Sequence, residues 1–397
     1  MRIEWMGPPL LLLLLALLAL PQPVLSSPRP AAERLIGSNT IVLSLVTSPN
    51  GKTTLAVGEH GRVFRRAVGE STWSLIPVGR SSTGALTSDG LTSDAIPSEN
   101  LTSNPVTSDA LTSDGLTSDA TPSDATPSDG LTSDDLPSGA LPSDNLSIDV
   151  LLTCTFLADD DHAWAAGHDA TILHSRDGGR TWDLQFSDPE AEAPFLDLWF
   201  EDGDHGLAVG AYGLAFETFD AGANWESRDL DPEGPHFYSI SESPAGSLYV
   251  AGEFGTLLRS GDRGESWTHL ETPYEGTFFG SLSLSDESLL IFGLRGNLYR
   301  SEDAGETWTR VELGTSASIL AGLEREDGTV LLAGLAGTLL ESRDHGQSFR
   351  QRSRADRPAL TGIAEFSGQV WLSSDQGLLP LDEAAQGADL GNQDAGR

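Results

Sequence analysis

The sequence predicts an all-β fold, a seven-bladed β-propeller, from three observations: one pattern recurs at a near-constant step, each copy reads as strands and turns, and a partial copy ends the pattern. The pattern is GHDATILHSRDGGRTW at 167–182, GAYGLAFETFDAGANW at 210–225, GEFGTLLRSGDRGESW at 252–267, GLRGNLYRSEDAGETW at 293–308 and GLAGTLLESRDHGQSF at 334–349. Its last residues, Trp182, Trp225, Trp267, Trp308 and Phe349, stand 41 to 43 residues apart, the period of one four-stranded propeller blade. A weaker copy at 58–73 lacks the Asp, and VWLSSDQGLLPL at 370–381 is a partial copy, which makes seven. Within a copy, short apolar runs such as FLDLWF (195–200) and GLAVG (206–210) alternate with Gly/Asp turns and show no helical period. One such sheet cannot bury both faces alone, whereas radial stacking lets each blade cover the next. The last copy supplies three strands, and RLIG (34–37) is free to be the fourth, so an N-terminal strand is expected to close the ring on the last blade.

Each strong copy carries the box S/T-x-D-x-G-x-T/S/N-W, with Phe349 in place of Trp in the fifth, and the box resembles the Asp-box (BNR) motif of several propeller families. The Asp carboxylate accepts hydrogen bonds from its own turn, the Gly takes a positive φ, and the aromatic buries beside the sheet. Asp177, Asp220, Asp262, Asp303 and Asp344 are therefore expected to hold turns rather than to catalyse.

Outside the propeller, assigned to 34–382, three segments have other roles. Arg2 and the apolar run Leu10–Leu20, followed by PQPVLSSPRPAA, read as a signal peptide over 1–27 with cleavage near Ser26 and Ser27. The run is short of the ~20 residues a membrane-spanning helix needs. The mature chain is expected to be periplasmic or otherwise exported, with an uncleaved membrane anchor as the alternative. Residues 86–145 are a run of five-residue units (LTSDG, LTSDA, TPSDA and variants), and no lysine or arginine occurs between Arg80 and Arg176. That composition predicts a disordered acidic insertion in the connection from the first blade to the second. The tail 383–397 is expected to be disordered as well.

Formal charge is −36, from 23 basic and 59 acidic residues, a balance that repels phosphate backbones and excludes nucleic acid as a partner. Cys154 is the single cysteine, in the apolar run LLTCTF, so neither an intrachain disulfide nor a cysteine metal cluster can form. His162 and His168 are close in sequence, but their repeat counterparts are not histidines, and a surface-turn role is favoured over a metal pair. No metal or cofactor is expected, and the chain is expected to act as a monomer.

Alternating strand direction puts the turns between second and third strands, and the blade-to-blade connections, on one face, with the Asp-boxes on the other. The turn tips read Glu59-His60, His168-Asp169, Ala211-Tyr212, Glu253-Phe254, Leu294-Arg295, Leu335-Ala336 and Asp375-Gln376. Turn tips favour small polar residues, so Tyr212 and Phe254 are candidates for partner contact, joined by Tyr274 and Phe278, with Phe279, from the connection PYEGTFFG (273–280). Plugging the central channel is the competing role for these aromatics. Both ends of the insertion are expected to emerge on this face.

FGLRGNLYRS (292–301), GTFFG (276–280) and the repeat itself resemble the Ycf48/Hcf136 family over residues 34–382, the insertion excepted. The resemblance implies a seven-bladed, non-catalytic propeller that assists assembly or stability of a membrane protein complex, photosystem II in photosynthetic relatives. It adds Arg295, the counterpart of the family's arginine patch, and Asn297 in the same RGN to the partner-binding candidates. The alternative is a BNR-repeat glycoside hydrolase or carbohydrate-binding propeller. SLIPVG lacks the arginine of the sialidase Arg-Ile-Pro signature, and the chain has residues for one propeller where xyloglucan hydrolases pair two.

Overall fold

The computed structural model describes residues 40–78 and 149–381, and these form seven antiparallel sheets. The segments read as a signal peptide (1–27), a closing strand (34–37), an insertion (86–145) and a tail (383–397) lie outside the described residues. Six sheets have four strands in chain order, here lettered A to D from the axis outward; the seventh has three. In blade five these are Phe278–Ser283, Leu289–Gly293, Leu298–Ser301 and Thr309–Arg310. Strand B is buried along its whole length in every blade with the five-residue pattern, as in Leu289–Gly293 and Val330–Gly334. Both its faces meet neighbouring blades, which is why these strands read as continuous apolar runs instead of alternating ones. Strand D is short and exposed, two residues in blades three to six.

Every inner strand carries a β-bulge at its second residue, seen as a register shift between Val42 and Ser44, Leu152 and Cys154, Phe237 and Ser239, Phe278 and Gly280, Ile319 and Ala321, and Leu360 and Gly362. In blade three the partners of Val209 and Gly210 are Asp197 and Phe195, so Leu196 is skipped. An unpaired residue in a ladder re-aims its side chain. Here it points to the axis: all seven bulged residues line one central cavity.

The Asp-box turns face the preceding blade. Asp303 accepts from Ser301 Oγ (2.7 Å), Thr307 N (2.8 Å) and Thr307 Oγ1 (2.6 Å), while Gly305 N donates to Ser301 Oγ (2.8 Å). Asp177, Asp220, Asp262 and Asp344 repeat this pattern. The Thr307 donors hold the Asp303 carboxyl down to about 2, and the Ser266 donors do the same for Asp262. The turn so fixed presents a backbone carbonyl to a donor from the blade before it. Arg65 Nε donates to Gly178 O (2.7 Å), Gln185 Nε2 to Ala221 O (2.7 Å) and Arg300 Nε to His345 O (2.7 Å). Gly305 sits at φ +94°, and a Cβ there would lie 2.6 Å from Leu270 Cδ1 of blade four.

The ring closes between blades one and seven. Thr361 Oγ1 donates to Val42 O at 2.7 Å, and Trp73 meets Trp371 edge-on at 5.5 Å inside a cluster with Phe64, Phe366 and Leu378. Asp197, a carboxylate within the apolar inner strand of blade three, also joins two blades: it accepts from Ile240 N of blade four (2.7 Å) and from Leu198 N (2.9 Å). Burial pushes its carboxyl up to about 7, against the lowering effect of those two hydrogen bonds. Cys154 is buried nearby, and burial, with the Asp197 charge second, raises its thiol well above the usual value.

Two outcomes follow from this packing. Gly305→Ala combines a strained φ with an inter-blade clash and should lower stability by about 1–3 kcal/mol, read by denaturant unfolding; an unchanged midpoint would mean that the seam is not tight there. Asp197 binds its proton more tightly folded than unfolded, so its contribution is complete below the unfolded value of 3.8 and is lost as pH rises through about 7. The stability of the native chain relative to Asp197→Asn should therefore fall between pH 4 and 8, and a constant difference over that range would refute the buried, protonatable carboxyl.

Candidate functional site: a rim of left-handed turn tips over a central cavity

The turns between strands B and C share one backbone solution. In five blades they read Gly-x-x-Gly, and the third residue is left-handed: His60 (φ 58°), Tyr212 (57°), Phe254 (56°), Arg295 (59°) and Ala336 (57°). The second glycine donates to the connection leading into the next blade: Gly61 N to Val150 O (2.6 Å), Gly213 N to Pro235 O (2.9 Å), Gly255 N to Gly276 O (2.8 Å) and Gly337 N to Pro358 O (2.6 Å). These bonds put turns and connections on one face and leave the left-handed residue at the tip. Asp149, where the described residues resume, lies on this rim, its Oδ1 2.9 Å from His60 Nδ1.

A left-handed conformation costs a bulky L-residue on the order of 1 kcal/mol or more, and an exposed ring there gains little from burial. Tyr212 is 54% exposed and Phe254 76% exposed. Arg295, the tip of the next blade, is exposed, and its side chain makes no hydrogen bond or ion pair with the described residues. Blades three, four and five therefore present Tyr, Phe and Arg as one arc.

The other candidates are placed differently. Asn297 is half-buried and its Nδ2 donates to Leu294 O (2.8 Å), so it locks the turn that displays Arg295. Tyr274 is half-buried, edge-on to Phe278 at 5.8 Å, with its ring over Gly276. Phe278 corrects the expectation of partner contact: it is fully buried, because as the first residue of a paired inner strand it points into the core shared with Leu257, Ile291 and Tyr299. Its neighbour Phe279 is the bulged residue and turns to the axis instead. His162 and His168 lie at opposite ends of strand Ala163–Gly167, the first bonded to Asp159 at the Asp-box end, the second lining the central cavity.

Below the rim is a cavity of about 320 Å³ lined by the inner strands of all seven blades. Its bulged residues are Leu43, Thr153, Leu196, Tyr238, Phe279, Leu320 and Thr361, apolar on most sides. Aromatic rings lead into it from the arc: Tyr212 to His236 (4.5 Å), His236 to Tyr238 (6.2 Å) and Tyr238 to Phe279 (5.1 Å). Tyr238 Oη donates to Glu253 Oε1 (3.4 Å), and burial, then the Glu253 charge, keeps the phenol protonated. Burial holds His236 below the usual imidazole value, against the raising effect of the Glu253 charge. Asp197 is the one carboxylate among the lining residues, and no arginine lines the cavity. That set offers an apolar socket with a few polar groups, and among the described residues lining it Asp197 has no second carboxylate facing it. Sequence reading did not single out Tyr238, His236 or Asp197; the signals present were a charge inside FLDLWF and alternating aromatics in HFYSI.

Residues 184–319 match the family model of the photosynthesis system II assembly factor YCF48, from the outer strand of blade two to the start of blade six. No sequence among curated proteins matches the chain. Among solved structures, YCF48 bound to a D1 peptide superposes with a TM-score of 0.58 at 17% identity, covering 86% of this chain and 94% of that one. YCF48 from Cyanidioschyzon merolae gives 0.59 at 15% identity, covering 88% and 97%. The WD40 propeller domain of Doa1 gives 0.57 at 10% identity, covering 87% and 94%, so overall shape is common to propellers of other kinds. The described residues thus form a seven-bladed β-propeller like these solved structures, and residues 184–319 are in addition similar to the YCF48 family model.

Proposed function

We propose that the chain is a non-catalytic, exported propeller that holds a segment of a membrane protein at the rim, as an assembly or stability factor of the Ycf48 type. The observation that carries this reading is the arc of Tyr212 and Phe254, two exposed rings in left-handed turns, beside the unpaired Arg295. Rigid aromatic anchors with a flanking guanidinium are the side chains that dominate protein recognition. The arc suits a segment carrying apolar side chains and a carboxylate, with the central cavity able to take one apolar side chain from it. The similar YCF48 that was solved with a D1 peptide supports a membrane-protein segment as the kind of partner. In this reading the ring acts as a monomer and reaches its partner at the exported face of the membrane.

The test is capture of membrane proteins from detergent-solubilised membranes of the host, with the tagged mature chain as bait. The double substitution Tyr212→Ala/Phe254→Ala should reduce the captured set at least about tenfold without lowering the melting temperature, since neither ring is packed in the core. Phe219→Ala, an exposed ring at the Asp-box end of blade three, serves as the control and should leave capture intact. Equal capture by the double variant would move the binding surface away from the rim.

A further inference from the structure

A second charged feature lies at the Asp-box end of blade six. Arg343, Arg350 and Arg352 line a cavity of about 350 Å³ together with Glu341, Asp344 and Ser348. Glu341 is nearly buried and braces two of the three: Arg343 Nε donates to its Oε1 (2.8 Å) and Arg352 Nη2 meets its Oε2 (2.8 Å). Asp344 is committed to its own turn, accepting from Ser342 Oγ, Ser348 N and Ser348 Oγ. The Arg350 side chain is exposed, directly across the strand pair from Glu341, and makes no hydrogen bond or ion pair with the described residues.

The repeat supplies its own controls, because the same backbone positions recur in the other Asp-box blades. Where blade six has Arg343, Arg350 and Arg352, blade two has Arg176, Asp183 and Gln185, and blade three has Phe219, Glu226 and Arg228. Blade four has Gly261, Thr268 and Leu270; blade five has Glu302, Thr309 and Val311. The turn is built the same way in all of them, so folding does not require arginine at these places. Blade two neutralises its one arginine here with a partner, Arg176 Nη1 to Asp183 Oδ2 at 3.6 Å. The Glu341–Arg352 pair repeats Glu217–Arg228 of blade three. Arg343 and Arg350 are additions, made in a chain of charge −36 that has few cations to place.

We propose that this cavity is a seat for a tetrahedral oxyanion, a phosphate group in the first instance. Three guanidiniums lining one cavity hold more donors than the two oxygens of a carboxylate can use, and the four oxygens of a phosphate match them better. Glu341 orients Arg343 and Arg352 and leaves the charge of Arg350 uncompensated for the ligand. The overall negative charge works against a large acidic partner, whereas a single phosphate group presents its charge within a Debye length, ~8 Å, of the arginines. This site is at the opposite end of the blades from Tyr212 and Phe254, and does not depend on the reading of the rim.

The experiment titrates inorganic phosphate into the mature chain by calorimetry at constant ionic strength, with chloride as the blank. Phosphate should bind, and Arg350→Ala should weaken it at least about tenfold, with Arg350→Lys weaker than native because the fork is lost. Arg310→Ala, at the outer strand of blade five, should bind phosphate as the native chain does. A second arm presents vesicles of phosphatidylglycerol against phosphatidylcholine: retention on the former that Arg350→Ala abolishes identifies a lipid headgroup as the source, and binding of free phosphate alone identifies a soluble one. No binding above the chloride blank, or equal binding by Arg350→Ala with an unchanged melting temperature, overturns the proposal. Loss of rim capture by Tyr212→Ala/Phe254→Ala with phosphate binding intact would keep the two sites separate.

Discussion

The propeller depends on one recurring contact, the seat of an Asp-box turn against the blade before it. A four-stranded sheet buries little on its own, and a ring of seven is stable only if each sheet finds its neighbour in register. The box achieves this with polar groups. The Asp carboxylate and the preceding Ser or Thr absorb the donors of the turn, so its backbone carbonyl is left free to accept from Arg65, Gln185 or Arg300 of the adjacent blade. A buried backbone acceptor without a partner would be costly, so the bond favours one angular setting between blades over others. The glycine in the box serves the same end, since a side chain at Gly305 would strike Leu270.

Because most of the stability resides in these seams, two rings of side chains are largely released from folding duty, Thr153 and Thr361, which donate to carbonyls of a neighbouring blade, being exceptions. One is the ring of left-handed tips, from His60 through Arg295 to Ala336, whose backbone is set by the glycine that follows each and, at His60, Tyr212, Phe254 and Ala336, by that glycine's bond to the next connection. The other is the ring of bulged residues at the axis, where the backbone dictates direction and leaves identity open: Leu, Thr, Leu, Tyr, Phe, Leu and Thr in blade order. Aromatic residues concentrate in blades three to five in both rings, which joins the exposed arc to the cavity through His236 and Tyr238. The arrangement suits the proposed rigid holder with a localised grip, and the raised Asp197 carboxyl sits inside it as a structural tie between blades three and four.

The architecture was legible because its cause is periodic. Box residues recur at a step that only a blade explains, and their roles are local, so the Asp, Gly and aromatic positions could be read directly. The rim was legible to the extent that turn tips obey local rules: Tyr212, Phe254 and Arg295 stand where the Gly-x-x-Gly spacing puts them. What escaped depends on non-local register. In PYEGTFFG nothing local distinguishes Phe278 from Phe279, yet the bulge sends the first into the core and the second to the channel. Asn297 looked like part of a displayed RGN but bends back onto Leu294 O. Asp197 was visible as a charge in an apolar strand, but its function as a tie needs Ile240, 43 residues away, to be placed.

The same division explains how chains 15–17% identical retain the fold. Substitution is cheap wherever a side chain leaves the seam, and blade six makes the point within a single molecule: the turn that carries Phe219 in blade three and Glu302 in blade five carries Arg343 there, on the same hydrogen-bonded frame. A residue that is chemically unusual at such a position is therefore not explained by folding. Tyr212 and Phe254 pay a conformational cost for exposure, and Arg350 carries an unpaired charge, in places where neighbouring blades manage with Ala, Thr or Glu. Those departures from the repeat, rather than the repeat itself, are the observations on which the two proposed sites rest.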